Sequence, residues 1–381
     1  MREPEKPQIL FATIAAGGGH VAGAHAMSEA IERYYPGRFE LRVSDYMKDL
    51  GITELDRFHK DSWRRALRYP VLARIGQRLM DALPGVTISA QRRILRGFAR
   101  AAAADLSENP PLLIVSNHGL ITAGLAEAKH RYGLEVPVLT FATEPFNISA
   151  YWAEPRADHV IAASEDGRSR LLRFGVPADK MTVIGRPVRR AFLNTPSKTE
   201  AREGLGLEGR FTCLVSFGGE GVGRDPRGLI STLLDSDLPL QVVAITGRNA
   251  ALGEGLRILW PEAASLRVEG FVENMAEYLA ASDVFVGKAG PSSVYKALAV
   301  GRPVLASGYA GLNELGVTRF IEREGLGHHV RTNAALVREV RRYAGDPALL
   351  EEVARRCRKL DLASSTERFA HHIVNYALTG A

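Results

Sequence analysis

The sequence predicts an α/β protein of two domains, each a parallel sheet wound with helices on both faces. Three observations carry this expectation. At 381 residues the chain exceeds what one hydrophobic core usually organises. Short β-branched apolar runs alternate with helix-like segments along its whole length. Glycine-rich turns follow strand-like runs near the start, at residues 15–20, and again past the middle, at residues 218–223.

Composition narrows the class. Hydrophobic content of 46% and charged content of 24% are those of a soluble globular protein and argue against disorder. Cys213 and Cys357 lie far apart and in no metal spacing, so neither a disulfide framework nor a zinc site is expected, and a reducing compartment fits. No apolar run approaches the roughly 20 residues that cross a bilayer, and residues 1–7 lead straight into a strand, so a cytosolic or peripheral protein is expected.

In order, Gln8 to Ile14 reads as a buried strand, followed by the turn Ala15-Ala16-Gly17-Gly18-Gly19-His20 and a helix over Val21 to Tyr35. Phe39 to Val43 alternates as a second strand. The turn lacks the G-x-G-x-x-G spacing of a dinucleotide fold, which sets a dehydrogenase aside. Leu55 to Ala104 reads as helical, interrupted at Pro70 and Pro84. Between residues 57 and 100 it carries eleven Lys and Arg against Asp61 and Asp81, with apolar and aromatic residues interleaved. That composition suits an anionic membrane surface, or equally a solvated face with arginine stems packed on the protein. No nucleic-acid reading motif accompanies it.

Leu112 to Ser116, Val136 to Ala142, His159 to Ala162 and Lys180 to Ile184 continue the strand rhythm. The polar, proline-punctuated stretch Leu193 to Glu200 is the expected linker. Boundaries are expected at residues 1–192 and 193–360, with residues 361–381 a last helix crossing back to the first domain. The second domain starts at Phe211 to Phe217, turns through Gly218-Gly219-Glu220-Gly221-Val222-Gly223, and continues with strands Gln241 to Thr246 and Leu266 to Phe271.

The stretch 283–303 then reads as strand, turn, helix, turn. Its small residues from Gly287 to Ser293, with Pro291 at an early helical position, aim unpaired N–H groups and a helix dipole at one point, which favours a phosphate. An ordinary strand-to-helix connection is the plainer alternative. Asp235-Ser236-Asp237 matches a metal-holding D-x-D pattern but lies in a polar loop, and no metal is expected.

Gly17-Gly18-Gly19-His20, Thr143-Glu144, Tyr151-Trp152-Ala153-Glu154-Pro155, Gly185-Arg186-Pro187-Val188-Arg189, Gly270-Phe271-Val272, Lys288-Ala289-Gly290-Pro291 and Asn313-Glu314 are spread along nearly the whole chain. Together they resemble the motifs of the GT-B glycosyltransferases of the monogalactosyldiacylglycerol synthase and processive diacylglycerol glucosyltransferase group, akin to the N-acetylglucosaminyltransferase of lipid II synthesis. The resemblance implies two Rossmann-like domains facing a cleft, and inverting, metal-independent transfer of a hexose from a uridine diphosphate sugar to a lipid hydroxyl such as diacylglycerol. It implies no cofactor beyond the nucleotide sugar, and a cytoplasmic location peripheral to the inner face of the membrane.

By resemblance, His20 is the base or its partner, and Glu144 orients the acceptor or His20. Gly18, Gly19, Gly218, Gly219, Phe271, Val272, Lys288, Gly290, Pro291, Ser292, Ser293 and Lys296 surround the nucleotide and diphosphate. Asn313 and Glu314 face the donor sugar. Trp63, Arg64, Arg65, Arg92, Arg93 and Trp152 form the membrane or acceptor side. Lys296 departs from the family, which has Glu for the donor ribose there, and a lysine accepts no hydrogen bond from a diol. Transfer to a polyprenyl-linked or small-molecule acceptor, a nucleotide-sugar epimerase and a non-catalytic nucleotide-sugar-binding homologue are the alternatives.

Overall fold

The computed structural model describes residues 6–15, 18–221, 223, 225–261 and 263–380, with Leu67 by its backbone alone. Ala16, Gly17 and Val222, from the two expected glycine turns, lie outside the described residues. The chain divides into two compact units. The first holds the residues to Arg190, Gly311–Asn313 and the residues from Leu362; the second holds Ala191–Ala310 and Glu314–Asp361.

The first unit is a parallel sheet of six strands: β1 (Gln8–Thr13), β2 (Glu40–Asp45), β3 (Leu113–Ser116), β4 (Val138–Ala142), β5 (His159–Ala162) and β6 (Met181–Val183). Their spatial order is β2-β1-β3-β4-β5-β6. Alternation along β1 sends Ile9 and Phe11 to one face and Leu10 and Ala12 to the other, and each pair joins a different buried cluster. The first cluster is closed by the helices Gly18–Tyr34 and Leu362–Thr379, where Phe369 meets Phe141 edge-on at 4.7 Å between ring centres. The second is closed by the helix Arg96–Glu108 through Phe98.

The helical stretch after β2 is broken where its chemistry requires. Pro70 and Pro84 each open a helix, Pro70–Ala82 and Pro84–Ile94. Tyr69 and Leu83, which precede them, leave helical geometry at φ −124° and −127°, because a proline ring crowds the residue before it. A third break at Leu95, with no proline, was not anticipated from the sequence.

The second unit repeats the plan with β7 (Phe211–Ser216), β8 (Leu240–Ile245), β9 (Leu266–Glu269), β10 (Val284–Lys288), β11 (Val304–Gly308) and β12 (Gly327–His329), in the order β12-β11-β10-β7-β8-β9. Part of the expected linker is instead a helix start. Ser197 accepts from the Glu200 N–H and the Glu200 carboxylate accepts from the Ser197 N–H, a reciprocal cap on the helix Lys198–Leu205. The helical close is two helices, Asn333–Gly345 and Pro347–Lys359, parted at Asp346-Pro347.

Candidate active site

In a doubly wound sheet the strand order reverses at one place, and the loops leaving the carboxyl ends of the two strands there diverge to leave a crevice. In the first unit those strands are β1 and β3. The loop after β1 delivers His20 at the start of the helix Gly18–Tyr34, and the loop after β3 delivers Asn117 and His118.

His20 Nδ1 lies 2.9 Å from the Asn117 carbonyl oxygen, and the Asn117 side-chain amide donates to the His20 carbonyl at 2.6 Å. A carbonyl only accepts, so its bond assigns the proton to Nδ1 and leaves the lone pair on Nε2. The ring is walled by His118 at 4.8 Å and Trp152 at 5.9 Å between centres, although part of the side chain remains accessible. Burial lowers its pKa to about 4. The Asn117 carbonyl opposes this, and His59 when protonated and the Arg186 guanidinium add to the lowering. The ring is therefore neutral, with an available lone pair, throughout the neutral range.

Two further histidines join it. His118 Nδ1 caps the helix Gly119–Tyr132 by accepting from the Leu120 N–H at 3.3 Å, and its Nε2 lies 3.2 Å from His59 Nε2. His59 stands on the helix Thr53–Arg68 and stacks nearly parallel on Tyr151. Gly119 is required at its position, since a Cβ there would lie 2.7 Å from the Tyr151 carbonyl oxygen. Glu144 accepts from the Asn313 side-chain amide at 3.1 Å, so these two expected site residues meet within the first unit.

In the second unit the reversal falls between β7 and β10. Gly218 follows β7 at φ +77°, a conformation glycine adopts without cost, and a Cβ there would lie 3.9 Å from Lys288 Cε. The helix Pro291–Ala299 begins after Gly290, and its first closed bond is Val294 N–H to the Gly290 carbonyl at 3.0 Å. Pro291 has no N–H, which leaves those of Ser292 and Ser293 ahead of the first intrahelical bond. Lys288 Nζ pairs with Glu314 Oε1 at 3.0 Å, while Glu314 Oε2 accepts from the Ala310 N–H at 2.6 Å. Glu314, expected at the sugar, is buried and braces Lys288. Lys296 lies in the last turn of the same helix, its ammonium 5.2 Å from the centre of the Phe192 ring. Phe271 is exposed, with the Arg248 guanidinium stacked 4.7 Å over it; Val272 is half-buried beside it. Arg248 went unremarked in the sequence, where only its place after β8 marks it.

The membrane-side residues separate into two sets. Arg64, Arg65 and Arg93 are exposed, as are the apolar side chains of Phe58, Leu72, Ile75, Leu79 and Val86 on the same run of helices. The second set is engaged by the protein itself. Trp152 is only 3% exposed, belongs to a core cluster and packs against the His20 ring. Trp63 packs partly buried against the second cluster of the first unit. Arg92 grips the buried carboxylate of Glu154 through both Nε and Nη2, a carboxylate it shares with Arg156. Asp235 and Asp237 are likewise engaged, by Ser231 and Arg341. Among the described residues no three His, Cys, Asp or Glu side chains group as metal ligands, and no helix is long and apolar enough to cross a membrane.

The chain matches the family model for Glycosyltransferase Family 4 over residues 57–192 and that for the Glycosyltransferase family 28 C-terminal domain over residues 230–306. It is 26% identical to the chloroplastic monogalactosyldiacylglycerol synthase of Spinacia oleracea over 367 residues, covering 91% of this chain and 68% of that protein. It is 24% identical to the processive diacylglycerol beta-glucosyltransferase of Staphylococcus carnosus over 271 residues, covering 71% of this chain and 68% of the relative. The chain thus spans about two thirds of the length of these relatives. A glycosyltransferase crystal structure from Rickettsia africae superposes on it with a TM-score of 0.62 at 13% identity, covering 100% of both chains. The chain has the GT-B glycosyltransferase fold, and its sequence is similar to those of the monogalactosyldiacylglycerol synthases and processive diacylglycerol glucosyltransferases.

Proposed function

We propose that the protein transfers a hexose from a uridine diphosphate sugar to the hydroxyl of diacylglycerol or of a glycosylated diacylglycerol. The observation that carries this reading is the state of His20: a neutral imidazole with its proton fixed on Nδ1 and its Nε2 lone pair available. In the reaction Nε2 takes the acceptor proton, the acceptor oxygen bonds to the anomeric carbon on the face opposite the diphosphate, and the bond to the diphosphate oxygen breaks with inversion.

The leaving diphosphate needs positive potential. Ser292 and Ser293 N–H groups at a helix start, with Lys288 held by Glu314, are suited to supply it. Gly18 and Gly19 keep the approach to His20 slim, Gly218 and Gly219 do the same beside Lys288, and the backbone at Phe271 and Val272 is the assigned reader of the base. Asn313 and Glu144 are assigned to orient acceptor and sugar hydroxyls. These donors make a metal ion unnecessary to the reading. The exposed apolar and basic side chains on residues 53–94 suit an anionic membrane surface on the cytoplasmic side, where a lipid acceptor would be met.

The test is transfer of radiolabelled hexose from a panel of nucleotide sugars to diacylglycerol, glycosyl-diacylglycerol and polyprenyl acceptors in vesicles. Labelled glycolipid from a uridine donor is expected. No product from any pair would remove the protein from the transferases.

A further inference from the structure

We infer that His59 and His118 form a hydrogen-bonded positioning pair for the His20 base, and that this pair sets the acid limit of the reaction. The inference rests on the reading of His20 as the base. Its foundation is a chain of tautomers. His118 Nδ1 accepts from the Leu120 N–H, so the neutral ring carries its proton on Nε2. That proton points at His59 Nε2, 3.2 Å away, which must be a lone pair, and His59 therefore carries its own proton on Nδ1. His20, bonded through Nδ1–H to Asn117, completes the set.

The pair is built into the wall of the site. His118 is 2% exposed and presents its ring edge-on to His20 at 4.8 Å, while Trp152 packs against both at 5.9 and 6.3 Å. His59 is fixed from the other side. Tyr151 lies at 8° to its ring, and Lys60, the next residue on the helix, is held by Asp45 at 2.7 Å and Asp56 at 2.8 Å. An apolar pair would fill the same space. What the two imidazoles add is one directional N–H···N bond, which fixes the His118 ring and through it the face against which His20 rests.

That bond tolerates no added proton on His59, since a second N–H would then face the N–H of His118. The charged and titratable groups around the pair give little relief. Asp56 and Lys60 on the same helix act on His59 in opposite senses; Asp45 on β2 is bound to Lys60; His20 repels a charged His59 or His118 from the helix Gly18–Tyr34. Glu144 acts on the Tyr151 hydroxyl, and Arg186 adds positive charge at His20. Burial holds both His59 and His118 below the ordinary imidazole range, so both are neutral at pH 7. As pH falls through their folded values, charging His59 breaks the bond and frees His118 to turn.

Two measurements test this. Nitrogen NMR of the full chain labelled with 15N-histidine is expected to show His59 as the Nδ1–H and His118 as the Nε2–H tautomer, changing together on acidification. Transfer rates from pH 5 to 9 are then compared for wild type, His59→Gln and His59→Leu. The Gln amide oxygen accepts from His118 without titrating. His59→Gln should retain most of the rate at pH 8 and move the acid half-point lower, whereas His59→Leu should lose about tenfold to a hundredfold at all pH values. The reverse tautomers, independent titration of the two rings, or an unaltered acid limb in His59→Gln overturns the inference. If wild type transfers no sugar at all, the functional reading fails and the positioning role with it; an active wild type with an unaltered His59→Gln profile defeats the inference alone.

Discussion

His20 is held by one residue in two ways. The Asn117 carbonyl fixes the ring proton, and the Asn117 amide fixes the backbone that carries the ring. His20→Gln should therefore lower transfer by about 10²- to 10⁴-fold, the usual worth of a positioned base, while calorimetry shows uridine diphosphate still bound. Undiminished transfer by this variant would remove His20 from the base role. In the second unit, Lys288→Met removes an ammonium whose position Glu314 sets. It should weaken uridine diphosphate binding by roughly 1.5–3 kcal/mol, the range for hydrogen bonds to charged groups. Equal affinity in wild type and variant would show that Lys288 does not touch the phosphates.

At the scale of elements, the helices Thr53–Arg68, Pro70–Ala82 and Pro84–Ile94 hold most of the large apolar side chains that the first unit leaves in solvent. Leu72 is 66% exposed and Leu79 63%. Exposed singly such residues mean little, but a run of them beside Arg64, Arg65 and Arg93 makes a face suited to a lipid surface. Reversing those three arginines to Glu should release the protein from anionic vesicles in co-sedimentation, at about 1 kcal/mol for each basic residue near the surface. Equal pelleting of the variant would assign the face to another role. The reciprocal cap at Ser197 and Glu200 is a local device of known size. Ser197→Ala should cost about 1 kcal/mol in denaturant unfolding, and no measurable change would mean that the helix Lys198–Leu205 is held by its packing alone.

At the scale of the whole molecule, the helix Leu362–Thr379 returns the chain to the first unit, where it closes a core cluster. His372 on this helix faces His159 on β5 at 5.0 Å, and Tyr376 packs on His159 at 5.4 Å. Burial lowers the His159 pKa from 6.5 to about 4, the charge of His372 adding to it, and burial also lowers that of His372. A lowered folded value means stability that is fully present above about pH 6.5 and is lost as pH falls toward 4. Thermal unfolding should show a falling midpoint across that window. His372→Phe should flatten the fall, and an unchanged slope would mean that other groups cause it.

The first helix begins at Gly18, ahead of the expected Val21, so His20 stands in its first turn, but the α/β rhythm, the parallel sheets and the strand, turn and helix around Lys288 were legible in the sequence. Each depends on residues close together in the chain, where hydrophobic period, glycine and proline act directly on the backbone. The partners of those residues were not legible. Asn117 lies 97 residues from the histidine it orients, and His59 lies 59 from the ring it meets. Neighbouring parallel strands are joined by long crossovers, so the loops that meet at a sheet's reversal point are distant in sequence, and nothing local marks one loop as the other's partner. The same holds for burial. Arg92 reads as a surface residue among arginines and apolar side chains, yet packing gave it to Glu154, and nothing local marked Trp152 as a core ring. Local chemistry determined which elements form; only the closing of the sheets decided which side chains face one another, and so which proton each histidine carries.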